Sequence, residues 1–172
     1  MKKIVCLGLM LVVLLGGSFS TLAQDTIRIG ANLEMTGAVA AYGQMIWEGI
    51  NLAKEILGDT VLGKKVELFL VDNKSDKVES ANAAIRLIEK EKVVAIIGPA
   101  ISGSMLAIGP ICEEQKIPVI SASATNPLVT QGKTYVFRAC FLDPYQAAAG
   151  AEFAKTDLKA ALICRQARDI GF

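Results

Sequence analysis

No histidine occurs anywhere in the 172 residues. That absence removes Ser-His-Asp and Cys-His triads, histidine-liganded metals and the commonest general base at neutral pH. Cysteine is scarce, with four in the chain, and Cys6, Cys112, Cys140 and Cys164 form no C-x-x-C pair. Neither a zinc site nor a thiol redox pair is therefore indicated. The segment Asn32–Gly37 carries no G-x-G-x-x-G, so a dinucleotide fingerprint is missing too. Without paired carboxylates either, the residues point away from an enzyme, and no cofactor or metal is expected. An excess of one charge is also lacking, with 18 basic against 17 acidic residues. Nucleic acid and anionic lipid thus have no footing as bulk partners. Repeats and low-complexity tracts are absent.

What is present begins with a leader pattern. Lys2 and Lys3 precede an almost unbroken apolar stretch from Ile4 to Leu15. Gly16, Gly17 and Ser18 end it, and Thr21-Leu22-Ala23 offers a small-x-small cleavage site before Gln24. The expectation is a secretory signal peptide over residues 1–23. The apolar run is shorter than the roughly 20 residues a spanning helix needs. Cys6 lies deep inside that run, so no lipoprotein box is visible. The expected location is periplasmic or extracellular, with the membrane reached only through a partner. Residues 24–172 would then carry 16 basic and 17 acidic groups, a formal charge of −1.

From residue 26 the chain alternates. Thr26–Leu33, Val66–Asp72, Val93–Gly98 and Ile117–Ser123 read as strands, and the third lacks alternation, as a strand covered on both faces does. Between them lie predicted helices at 40–57, 76–91 and 102–114. The first places Ile46, Ile50, Ala53 and Leu57 on one face. The second places Ala81, Ala84, Ile85 and Ile88 inward, and the third Met105, Ile108 and Cys112. Thr134–Ala139 reads as a further strand and Asp143-Pro144-Tyr145-Gln146 as a helix start, with Asp at the cap, Pro at the first position and Gln at the third. Lys159–Cys164 reads as a last strand. Cys112 and Cys164 look like core packing, although export would permit one disulfide. The fold class is α/β, a doubly wound parallel sheet.

Ligands of such sheets bind outside the carboxyl ends of the strands. Those ends are Asn32–Tyr42, Asp72–Asp76, Gly98–Ser104 and Ser121–Thr130. In Gly98-Pro99-Ala100-Ile101-Ser102-Gly103-Ser104, Ser102 stands at a helix start. Two readings are open there: a hydroxyl and amides that hold an anion, or a serine that caps its own helix. Ser121-Ala122-Ser123-Ala124-Thr125-Asn126-Pro127 adds hydroxyls and backbone without charge, a surface able to hold both ends of a zwitterion. Tyr42 begins the first helix and could close over a ligand. Trp47, the single tryptophan, reads as packing.

IRIGANLEMTGAVAAYG, GPAISGS, PVISASATNP and FRACFLDPYQ, in this order and spacing, resemble the leucine/isoleucine/valine-binding proteins, exported receptors of branched-chain amino-acid ABC importers. The resemblance runs from Ile27 to about Cys164. It implies two α/β lobes that clamp a ligand, with residues 24–142 as the first lobe and 143–172 as the crossover and the start of the second. It also implies a carboxylate on Ser102, an ammonium on the Ser123 carbonyl, a ligand hydrogen bond from Thr125, and Tyr42 beside the ligand side chain. The implied partners are a leucine-, isoleucine- or valine-like amino acid and the ABC permease subunits. Family members present a Tyr near Ile170, and their second lobe extends beyond Phe172. A disulfide known in some relatives has Ser75 and Ile101 at its positions here, so none is expected. Three other readings stay open: a receptor for amides, urea or aromatic acids, the sensing part of a signalling receptor, and a dinucleotide enzyme.

Overall fold

Seven alternating residues make β1 (Ile27–Leu33), which sends Ala31 and Leu33 to one face and Gly30 and Asn32 to the other. The computed structural model describes residues 26–156. The expected leader, the strand at 159–164, Cys164 and Ile170 lie outside the described residues. After β1 come α1 (Ala40–Leu57), β2 (Thr60–Val61), β3 (Lys64–Asp72), α2 (Lys77–Glu89) and β4 (Ala95–Ile97). Then follow α3 (Ser102–Gln115), β5 (Val119–Ser121), a single 3-10 turn at Pro127–Val129, β6 (Val136–Arg138) and α4 (Asp143–Thr156).

The sheet order is β2-β3-β1-β4-β5-β6, parallel except for the short β2 edge. The doubly wound expectation holds, and β2 is an addition that its two residues were too few to announce. Chain order reverses at β1, with β3 on one side and β4 on the other. The switch point therefore lies between the ends of β1 and β4.

One face of the sheet is closed by α2 and α3. Leu87, Ile96, Met105, Ile108, Cys112, Val119 and Val136 form the core there. Met105, Ile108 and Cys112 are wholly buried, as the apolar period requires. Burial, and secondarily the carboxylate of Glu113, pushes the Cys112 thiol up to about 12. This cysteine packs and does not react at neutral pH.

Two expectations fail, the first only in part. The inner face of α2 is Ser80, Ala83, Ala84 and Leu87, with Ile88 packed against the core. Ala84 and Ile88 are thus inward as expected, while Ile85 is 41% exposed. Polar contacts set that phase. Asp76 caps α2 by accepting from the amides of Val78 at 2.8 Å and Glu79 at 2.9 Å. Asn32 donates to the Ser80 carbonyl at 2.8 Å, which turns Ser80 toward β1. The second failure is the covering of both faces. Only α1 lies on the other side, with Ile46 and Ile50 over Ile29, Val66 and Leu68. Ile120 is 39% exposed and Phe137 48% on that side, so among the described residues α1 covers it only in part.

Candidate functional site

Asn32, Glu34 and Asn73 are fully buried at the carboxyl ends of β1 and β3. The Asn73 amide donates to Asn32 Oδ1 at 3.0 Å, and its own Oδ1 accepts from the Ser75 amide at 3.0 Å. Buried polar groups hold a fold only when paired, and these pairs tie two strand ends together. Asp72 extends the join. Its carboxylate accepts from the amides of Met35 (3.0 Å), Thr36 (3.2 Å) and Lys74 (2.8 Å) and from the Thr36 hydroxyl (2.6 Å). Ser75 Oγ donates to the Thr36 carbonyl at 2.7 Å.

Burial by itself would raise the Asp72 carboxyl, but the hydrogen bonds from Thr36, Lys74 and Met35 outweigh it and hold it below its ordinary 3.8. A depressed carboxylate contributes stability that is present above 3.8 and is lost as the pH falls through the lower folded value. Asp72→Asn is therefore expected to flatten the acid limb of the stability profile. Urea unfolding between about pH 5 and about pH 2 reads this. An unchanged acid slope in the variant would show that Asp72 is not the clamp.

The Gly98–Ser104 turn is stitched to the Ser121–Thr130 loop by three rungs. Ser121 Oγ donates to the Pro99 carbonyl at 2.6 Å, and Ser123 Oγ donates to the Ala100 carbonyl at 2.8 Å. The Asn126 amide donates to Ser102 Oγ at 3.2 Å. On the far side of the turn, Glu34 accepts from the amides of Ala100 at 2.9 Å and Ile101 at 3.4 Å. Backbone groups from Pro99 to Ile101 are thus engaged inside the protein. The first-turn amides of α3 have no intrahelical partner. What remains open is the Ser102 hydroxyl proton with those amides.

Ser102 does not cap its helix. The cap position is Ile101, with no side-chain cap bond, and Ser102 is the first helical residue. Its oxygen is instead an acceptor for a loop 24 residues away, so of the two readings the cap fails. Thr125 is half-buried in the same loop, and its carbonyl accepts from the Asp143 amide at 3.1 Å. Ser102, Ser123 and Thr125 are therefore brought together. Tyr42 lies on the first turn of α1, 53% exposed, with no hydrogen bond to the other three among the described residues. Its neighbour Gly43 lies against Glu34, where a Cβ would stand 2.3 Å from the Glu34 carbonyl oxygen. Trp47 is half-buried farther along α1.

Sequence reading gave no role to Glu34, Asp72 or Asn73. It quoted Arg138 only within a motif. Arg138 Nη1 donates to the carbonyls of Ala124 and Asn126, each at 2.9 Å. Its Nη2 donates to the Pro127 carbonyl at 3.1 Å and to Thr130 Oγ1 at 2.7 Å. One guanidinium thus fixes the loop that bears Thr125. Ser104 Oγ is buried and has no hydrogen-bond partner among the described residues.

The sequence profile of the periplasmic binding proteins matches residues 26–169. The chain belongs to the periplasmic binding protein family. An amino acid binding protein of Pseudomonas aeruginosa is 30% identical over 144 residues, 82% of this chain and 38% of that protein. A leucine-binding protein from Thermotoga maritima superposes with a TM-score of 0.75 at 53% identity, covering 78% of this chain and 38% of that one. A branched-chain amino acid transporter substrate-binding protein from Streptococcus pneumoniae, in complex with isoleucine, gives 0.75 at 34% identity, over 78% of this chain and 39% of that one. The chain thus spans about two-fifths of the length of the relatives it matches. Among the described residues no helix is long and apolar enough to cross a membrane.

Proposed function

We propose that this periplasmic binding protein chain forms the ligand-receiving lobe of an exported receptor for leucine, isoleucine or valine. It would serve an ABC importer by binding rather than by catalysis. In this reading residues 1–23 are the export signal, 24–142 the lobe, and 143–172 the passage toward a second lobe that closes over the ligand. The ligand carboxylate takes the Ser102 hydroxyl proton and the first amides of α3. The ammonium takes the Ser123 carbonyl, Thr125 bonds the ligand backbone, and Tyr42 lies beside its side chain.

One observation carries the proposal. Ser102 Oγ already accepts from Asn126, so its single proton is left for an outside acceptor, next to a helix N-terminus that favours a negative one. The uncharged hydroxyls of the neighbouring loop suit a neutral zwitterion better than a phosphate. The likeness to binding proteins for branched-chain amino acids supports the same ligand class.

A single lobe covers one side of its ligand, so affinity for L-leucine is expected at roughly 1 mM or weaker. Titration of the isotope-labelled chain with L-leucine should shift the amide signals of Ser102, Gly103, Ser123 and Thr125. Ser102→Ala should weaken the response about tenfold, the loss of one hydrogen bond to a charged group. Tight binding that survives Ser102→Ala, or shifts confined to another edge of the sheet, would overturn the assignment.

A further inference from the structure

Glu34 is the wholly buried carboxyl group at the rim, whereas Asp72, Arg138 and Lys77, the charged groups near it, are not fully buried. Its oxygens meet the amides of Ala100 and Ile101, the two residues that lead into α3. Buried carboxylates are kept where their hydrogen bonds do something that a neutral side chain would not do as well. Here the contact spans 66 residues of sequence and joins the end of β1 to the turn after β4. That is the switch point of the sheet. The carbonyl of Glu34 also lies where a Cβ on Gly43 would fall, at 2.3 Å, so α1 starts against the same residue.

We infer that Glu34 is the positioning residue of the carboxylate subsite, an inference that rests on the ligand proposed above. By holding the amides of Ala100 and Ile101, it fixes the turn so that Ser102 faces the rim with its proton free. It also occupies the cap amide of Ile101 and the amide of Ala100 just before it. An entering carboxylate is thereby confined to Ser102 and the amides beyond it. The turn that looks like an empty anion site is already engaged by the Glu34 carboxyl group, and the ligand's carboxylate takes the adjoining place.

The test uses the labelled chain and its Glu34→Gln variant, with L-leucine as the probe. Glutamine keeps the shape but replaces one acceptor oxygen by an NH2 donor, which cannot accept from a backbone amide. Without ligand, hydrogen exchange at Ala100 and Ile101 should quicken at least tenfold in the variant, while amides in the middle of α2 keep their wild-type rates. With leucine, the variant should bind about tenfold more weakly, and the response at Ser102 should fall more than that at Thr125. Unchanged exchange at Ala100 and Ile101, or unchanged leucine binding with the Ser102 response intact, would overturn the role. Should the variant fail to fold, the wild-type chain decides through scalar coupling across the hydrogen bond. Coupling between the Ala100 amide nitrogen and the Glu34 carboxyl carbon supports the clamp, and its absence in the folded chain refutes it. A wild-type chain with no leucine response at Ser102 would sink the ligand reading and this role with it. Exchange at Ala100 and Ile101 would show separately whether the clamp exists.

Discussion

Gly98→Ala is expected to be among the most damaging single changes in the chain. Gly98 has a φ of +91°, a region that costs an L-residue about 1–3 kcal/mol. Its added Cβ would stand 2.3 Å from the Asn32 carbonyl oxygen and 2.6 Å from Leu33 Cδ2. The leucine end could rotate, but the carbonyl belongs to the β1 backbone. Relief would need β1 and β4 to part at the switch point, where the site is built. Strain and overpacking together put the loss at about 3 kcal/mol or more. Thermal unfolding should show a fall in Tm of roughly 10 °C. Two other glycines separate the causes. Gly132 has a φ of +68° and nothing within 4 Å of an added Cβ, so Gly132→Ala should show the conformational cost alone, about 1–2 kcal/mol. Gly49 lies inside α1 with open space, so Gly49→Ala should stabilise, by about 1 kcal/mol at most. A Gly98→Ala chain that melts with Gly132→Ala would mean that the close approach to Asn32 does not matter.

The contrast among these glycines marks what was legible in the sequence. Apolar period and chain rhythm placed α1 and α3 to within a residue, and the inward set Met105, Ile108 and Cys112 was right because apolar burial alone decides it. In α2 the same method placed Ala84 and Ile88 inward but misplaced Ile85 and passed over Ser80 and Leu87. Ser80 is buried there because Asn32 bonds its carbonyl and Asp76 accepts from its hydroxyl. Period counting weighs apolar residues and cannot see a polar group that is paired after folding. Glu34, Asp72 and Arg138 escaped notice for that reason. Each is a charged residue of ordinary appearance whose partners lie on another loop. The register of β1 between β3 and β4 brings the partners of Glu34 and Asp72 within reach, and that of β6 on β5 brings those of Arg138. Ser102 was legible as a site residue but not in its hydrogen bonding, since the choice between cap and rung depends on where Asn126 falls.

Arg138 carries the second large expectation. Its guanidinium donates four hydrogen bonds into residues 124–130, three to backbone carbonyls and one to the Thr130 hydroxyl. Truncation to alanine would leave partly buried carbonyls to find water or go unpaired, a loss of about 3 kcal/mol. Arg138→Lys should recover little of it, because an ammonium is a point donor and cannot span the set that a planar fork reaches. The damage should also be local. Asn126 would no longer be held, so the rung from its amide to Ser102 Oγ should loosen with it. Hydrogen exchange should quicken first at Val129, Thr130 and Gln131, whose amides bond back to Asn126 and Pro127. Amides of β1 and β3, on the far side of the sheet, should keep their order relative to one another. Leucine binding should weaken beyond what the stability loss explains, since the loop bearing Ser123 and Thr125 has lost its anchor. If Arg138→Ala instead lowers stability evenly across the sheet and leaves binding by the folded fraction unchanged, Arg138 is a general brace. Local loosening together with weaker binding makes it the basic counterpart of Glu34. One buried acid would then hold the turn that receives the carboxylate, and one base the loop that receives the ammonium.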